Sequence, residues 1–211
     1  MPLVKLHEIN HQAAWAIWEV DEDITQLRKA IRPEQDKFDE LSKIHHPQKQ
    51  LEWLAARQAA QTLLQHFNEP FNGIHKDKHG KPYCVESHFH LSLAHSFPYA
   101  VAIIDHQKPV GIDIEKPRQQ LQRIAPKYLN DSEEIAADQD LTKLCWYWAA
   151  KETLYKIYGR KRLVFKRNLA IAPFDPGSDK TVQGKVILGS KTKDYVLHFH
   201  SHQEFFICHN L

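Results

Sequence analysis

Val110-Gly111-Ile112-Asp113-Ile114-Glu115 is a short apolar run with two acids one residue apart. Further on, Trp146-Tyr147-Trp148-Ala149-Ala150-Lys151-Glu152-Thr153-Leu154-Tyr155-Lys156 has the spacing of a helix. On a strand, Asp113 and Glu115 share one face, and Ile112 and Ile114 turn the other way into the core. Two carboxylates aimed together repel each other and call for positive charge. Magnesium suits such a pair, because it takes one or two carboxylates and keeps places for water and phosphate oxygens. An ordinary strand with an acidic solvent face reads the same way.

Glu152 and Lys156 lie one turn apart. Such a pair is commonplace on helix surfaces and adds a few tenths of a kcal/mol. Here, however, Trp146, Trp148, Leu154, Tyr155 and Tyr158 make most of the helix apolar. In that setting Glu152 can supply a third metal ligand or a general base. Lys156 can neutralise a phosphate or protonate a leaving group.

Around these stretches the chain reads as two α+β halves. The first half, residues 1–108, has a strand over Trp15–Val20 and a helix from Ile24. A helical piece follows from Pro33 to Ile44, and a longer amphipathic helix runs from Gln48 to His66, its stripe including Leu51, Leu54, Ala55, Gln58, Thr62 and Leu63. Asp77–Pro82 reads as a loop, and strands follow over Phe89–Leu93 and Tyr99–Ile104. The second half, residues 109–211, opens on the Val110–Ile114 strand. It continues with helices over Leu121–Tyr128, from a cap at Asp131 or Ser132, and over Thr142–Tyr158, closed by Gly159. Strands over Leu169–Ala172, Thr181–Leu188, Tyr195–His200 and Glu204–Cys208 end it.

Composition narrows the function. The chain has 211 residues, enough for a proper core. Its formal net charge is +2, without the strongly basic balance that nucleic-acid binding favours. No apolar run approaches the length of a membrane span, and the N-terminus lacks the apolar core of a signal peptide. Cys84, Cys145 and Cys208 are too few and too scattered for a disulfide framework, which points to a reducing, cytoplasmic setting. Among the 15 histidines, His198, His200 and His202 alternate, as do His88 and His90. Three on one strand face raise the question of zinc, but a straight strand does not converge its ligands.

One further stretch, Leu91-Ser92-Leu93-Ala94-His95-Ser96, reads as a strand ending in an imidazole and a hydroxyl. A turn histidine or a phosphate contact fits it. Taken together, His95-Ser96 after a strand, then G-I-D-I-E, then W-x-x-K-E-x-x-x-K resembles the 4′-phosphopantetheinyl transferases of the Sfp type. The spacing agrees: 17 residues separate His95 from Asp113, and Glu152 lies 37 positions beyond Glu115. The likeness covers roughly Gly80 to Ala172.

The resemblance implies a holo-[acyl-carrier-protein] synthase type enzyme. It would transfer the phosphopantetheine arm of coenzyme A to a serine of an apo acyl or peptidyl carrier protein and release adenosine 3′,5′-bisphosphate. It also implies a monomer of two similar α+β halves related by a pseudo-twofold axis, with coenzyme A in the cleft between them. Asp113, Glu115 and Glu152 would then hold Mg2+, with Glu152 also the base and Lys156 at the phosphate near the leaving group. His95 and Ser96 would meet a coenzyme A phosphate. Lys81, in Gly80-Lys81-Pro82, would lie beside the nucleotide. Arg57 would reach the 3′-phosphate, with Lys49 a second candidate; a solvated helix arginine is the other reading of Arg57. Lys116, Arg118, Arg123 and Lys127 would form part of a basic rim for an acidic carrier. The family often has serine at Ala94, so one hydroxyl contact is missing here. Two other readings stand beside this one: another magnesium-dependent phosphoryl or nucleotidyl transferase, and a non-catalytic module that binds carrier proteins.

Overall fold

The computed structural model describes residues 2–31 and 38–211, with the side chains of residues 38 and 39 left out of account. The described chain is α+β, as the patterning indicates, and its contacts divide it into two units, Met1–Val110 and Gly111–Leu211.

In the first unit an antiparallel sheet runs in the order β1-β2-β6-β5, from β1 (Leu3–Asn10), β2 (Ala13–Glu19), β5 (His90–Ser96) and β6 (Tyr99–Asp105). β2 and β6 are buried along nearly their whole length, as their unbroken apolar runs require. α1 (Ile24–Ala30) starts at a capping box in which Asp23 accepts from Gln26 N. α2 (Phe38–Ser42) follows; the helical reading from Pro33 to residue 37 lies outside the described residues. α3 (Pro47–His66) packs on β6, β2 and β5 and is far more enclosed than one stripe predicts. Glu52, Arg57 and Gln61 are buried with its apolar residues, while Gln58 and Thr62 are only half-buried. β3 (Ile74–Lys76) and β4 (Pro82–Cys84) form a separate ribbon.

The second unit begins at β7 (Ile112–Glu115), the edge of an antiparallel sheet ordered β7-β11-β10-β9-β8. β8 is Leu169–Ile171, β9 Thr181–Leu188, β10 Lys191–His202 and β11 Phe205–His209. α4 (Gln120–Tyr128) and α5 (Asp131–Ala137) lead to α6 (Leu141–Tyr158), which packs on β7, β8, β9 and β11. Asp140 caps α6 by accepting from Lys143 N at 2.7 Å, and Gly159 ends it in the left-handed region at φ 66°. α7 (Phe165–Asn168) precedes β8. The α5 cap differs from the sequence reading: Asn130, not Asp131 or Ser132, accepts from Glu133 N, and Glu133 answers by accepting from Asn130 N at 2.8 Å. Trp146 sits between Phe199 and Phe206, with ring centroids 4.3 and 4.5 Å away, so it is a packing residue.

Candidate active site

A glycine sets the register between β7 and α6. A Cβ on Gly111 would run into the Thr153 carbonyl and lie 2.7 Å from Ile157 Cγ1, so only glycine lets the chain enter β7 against the α6 backbone. Two hydrogen bonds hold the arrangement. Gly111 N donates to Asn210 Oδ1 at 2.8 Å, and Thr153 Oγ1 donates to the Cys208 carbonyl on β11 at 2.9 Å. By alternation Asp113 and Glu115 follow Gly111 on the face turned to α6.

Asp113 is therefore buried against the helix rather than displayed at the surface. Lys156 Nζ donates to Asp113 Oδ1 at 2.7 Å and to the Ile112 carbonyl at 3.0 Å. Ile112 and Ile114 turn the other way and are buried core residues, as alternation predicts, although neither belongs to the cluster packed around α6. Glu115 is turned to Arg118, whose Nη2 donates to its two oxygens at 2.8 and 2.6 Å. Burial, and then the negative charge of Asp113, push the Glu115 carboxyl up, while Arg118 opposes them.

Glu152 feels the same crowding more strongly. Burial comes first, Asp113 next and Glu115 last in raising its carboxyl to about 7, against the pull of Lys156. It lines a largely apolar cavity of about 420 Å3 with Tyr128, Trp148, Val164, Phe165 and Lys127. A half-protonated carboxyl at neutral pH, in a cavity wide enough for a side chain of another molecule, is suited to accept a proton.

Asp113, Glu115, Glu152 and Lys156 are thus brought into one electrostatically coupled site, although Asp113 and Lys156 lie 43 positions apart. Among the described residues no group of three or more His, Cys, Asp or Glu is arranged to hold a metal ion. Two of the three acids are turned to cations of the chain itself, Asp113 to Lys156 and Glu115 to Arg118. The donor set still fits a hard divalent ion in kind: three carboxylates, of which Glu115 and Glu152 are made harder to ionise by burial and by their acidic neighbours.

Lys151 has a different role from Glu152 beside it. It is fully buried and reaches Glu133 Oε2 at 2.6 Å, the Tyr128 carbonyl at 2.7 Å and the Leu169 carbonyl at 2.8 Å. Glu133 also accepts from Ile171 N at 2.8 Å. This pair ties α6 to α5 and β8, and it leaves Glu152 on the open side.

The expected phosphate grip lies in the first unit. His95, on β5, places Nδ1 2.9 Å from Glu52 Oε2, and Ser96 is half-buried at the end of that strand. Arg57 is not solvated. Its guanidinium lies 3.1 Å from the centre of the Trp53 ring and 4.0 Å from Glu40, which also pairs with Lys76. Lys81 lines a cavity of about 470 Å3 with Asp77, Tyr83, His88 and His90. That cavity reaches the beginning of β5, whereas His95 is near its end, roughly 17 Å along an extended strand. The structure therefore does not bring Lys81 and His95 to one point.

His198 and His200 stack on His209, with ring planes 8° apart and centroids 5.4 and 4.9 Å away. Parallel stacked rings do not converge on an ion. Sequence reasoning passed over Glu52, Glu133, Thr153 and Gly111. For Glu133 there was a signal, its place three residues after Asn130 in a capping box; for Gly111 the signal was a glycine at the mouth of a strand.

The 4′-phosphopantetheinyl transferase superfamily model matches residues 109–208. A 4′-phosphopantetheinyl transferase gsp from Aneurinibacillus migulanus is 30% identical over 105 residues. That match spans 46% of this chain and 44% of the relative, less than half of either. The stretch that resembles the 4′-phosphopantetheinyl transferase superfamily is the one that carries Asp113, Glu115, Glu152 and Lys156.

Proposed function

We propose that this chain transfers the 4′-phosphopantetheine arm of coenzyme A to a serine of an apo acyl or peptidyl carrier protein, releasing adenosine 3′,5′-bisphosphate. The observation that carries the reading is the meeting of Asp113, Glu115, Glu152 and Lys156 at the β7–α6 contact, inside the stretch that matches the superfamily. The reading extends to the Sfp type, two α+β halves acting as a monomer in the cytoplasm. Three buried free cysteines agree with a reducing setting.

Asp113, Glu115 and Glu152 would hold Mg2+. When bound there, a divalent ion supplies positive charge to the pyrophosphate and offsets charge developing on the leaving group. The chain's own groups do the rest. Glu152 accepts the serine proton, its carboxyl already raised toward neutrality. Lys156, fixed between Asp113 and the Ile112 carbonyl, turns its remaining N–H to the phosphate near the leaving group. His95 and Ser96 meet a phosphate of coenzyme A, Arg57 reaches the 3′-phosphate, and Lys81, toward the other end of β5, lies beside a separate part of the nucleotide. The apolar wall beside Glu152, with Lys127 at its rim, suits an acidic carrier that offers an apolar helix face.

The test is incubation with coenzyme A, Mg2+ and a panel of apo carrier proteins, read by intact mass. A carrier heavier by one phosphopantetheine group, and unchanged when EDTA is present, is the expected result. No carrier gaining that mass would overturn the reading.

A further inference from the structure

Among the described residues, Glu133 and Glu52 are each carboxylates at 1% exposure beside a lysine, and they are used differently. Glu133 faces inward: Lys151 is as buried as it is, and its other donors are the backbone N–H groups of Asn130 and Ile171. That is how a carboxylate serves a fold. Glu52 is 1% exposed, yet its partners stand at the surface, Lys49 at 55% and His95 at 38%. Lys49 Nζ and His95 Nδ1 meet on the same oxygen, Oε2, at 2.6 and 2.9 Å, and Gln48 Nε2 donates to Oε1 at 3.0 Å.

A lysine and an imidazole do not choose to share one point, since an ammonium repels an imidazolium. A buried anion under both removes that penalty. It does so in every ligand state, because it stays ionised. Burial disfavours its charge, but the hydrogen bonds from His95, Lys49 and Gln48 outweigh burial and hold Glu52 at about 2. The joint also crosses elements, since Lys49 and Glu52 are on α3 and His95 is on β5. Once Oε2 is satisfied, His95 Nε2 and two N–H bonds of Lys49 remain for a ligand, none of them used by a described residue. The two N–H bonds of Lys49, joined by His95 Nε2–H when the ring is an imidazolium, lie on an exposed rim and are the chemistry of a phosphate grip.

We propose that Glu52 is the positioning residue of the coenzyme A grip, holding Lys49 and His95 together so that both present N–H groups to one phosphate. This rests on the coenzyme A reading above and deepens it. Glu52 touches no ligand itself; it acts through Lys49 and His95.

The experiment compares the full-length wild type with Glu52→Gln, which keeps the size and loses the charge. Coenzyme A binding is read by calorimetry, and kcat and KM by carrier modification. A positioning role raises Kd and KM for coenzyme A about tenfold, on the order of one charge-assisted contact, and leaves kcat within about twofold, since the transfer chemistry sits elsewhere. A merely structural role would lower the active fraction and kcat and leave KM alone. Lys49→Met, His95→Gln and the double variant, all at the surface, keep the proposal testable if Glu52→Gln fails to fold. Acting as one unit, the two lose together less than the product of their separate losses. Equal coenzyme A binding in wild type and Glu52→Gln, or strictly multiplicative losses in the double variant, overturns the proposal and leaves the proposed function standing. Wild type that binds no coenzyme A overturns both.

Discussion

Replacing Lys151 with methionine separates a structural lysine from the glutamate beside it. The ammonium has three close partners in the folded state: Glu133 Oε2 at 2.6 Å, the Tyr128 carbonyl at 2.7 Å and the Leu169 carbonyl at 2.8 Å. Methionine fills the volume and satisfies none of them. What remains is a carboxylate at 1% exposure, supported only by its two backbone donors, and two buried carbonyls short of a donor. Breaking a buried pair from one side costs about 3–5 kcal/mol. For a unit of about 100 residues each kcal/mol moves the midpoint by roughly 4–8 °C, so the second unit should melt at least about 12 °C lower. Calorimetry reads the shift, and hydrogen exchange over α6 assigns it to this unit. Adding Glu133→Gln should recover part of the loss, because the stranded charge goes and the backbone acceptor stays. A fall of less than about 3 °C, with α6 exchange unchanged, would refute the claim that this pair pins the helix.

Two other perturbations follow from the same geometry. Gly111→Ala forces a methyl group against the Thr153 carbonyl and Ile157, backbone and core that cannot step aside, so a loss of about 1–3 kcal/mol together with reduced transfer is expected; an unchanged melting point would show that β7 does not seat on α6 in this way. Glu52 is held at about 2 against an ordinary 4.5, so its contribution is complete above 4.5 and disappears as the pH falls toward 2. By linkage that contribution is about 3 kcal/mol. Urea unfolding across this range should be less acid-sensitive in Glu52→Gln than in wild type, and equal slopes would contradict the assignment.

The parts legible in the sequence were those with strong local patterning. α6 shows itself through its aromatic stripe and Gly159, and β6 through an unbroken apolar run. β1 was missed because it is an edge strand, with most of LVKLHEIN half-buried or exposed, so its pattern is nearly that of a polar loop. β10 runs from Lys191, four residues before the sequence reading begins it, because Lys191, Thr192, Lys193 and Asp194 are all exposed and polar and show no alternation of buried and exposed residues. α7 is a single turn, too short to have a period. At the site, the acids and Lys156 were visible as residue types, but their pairing was not: Lys156 reaches Asp113 across 43 positions through a contact that depends on Gly111. Glu52 was invisible for the opposite reason. A glutamate in a lysine- and glutamine-rich helix start reads as solvent-facing, and it is buried only once α3 is packed on the sheet, where His95 of β5 meets it.

Glu152 is the residue on which the proposed transfer depends most directly. Wild type and Glu152→Gln, matched in melting point, should be followed by intact mass with coenzyme A, Mg2+ and an apo carrier protein. Wild type should load one phosphopantetheine group, and Glu152→Gln should do so at least about 100-fold more slowly, the usual cost of losing a general base. Equal loading by both would contradict the role given to this site, and no loading by wild type on any carrier would contradict the function itself.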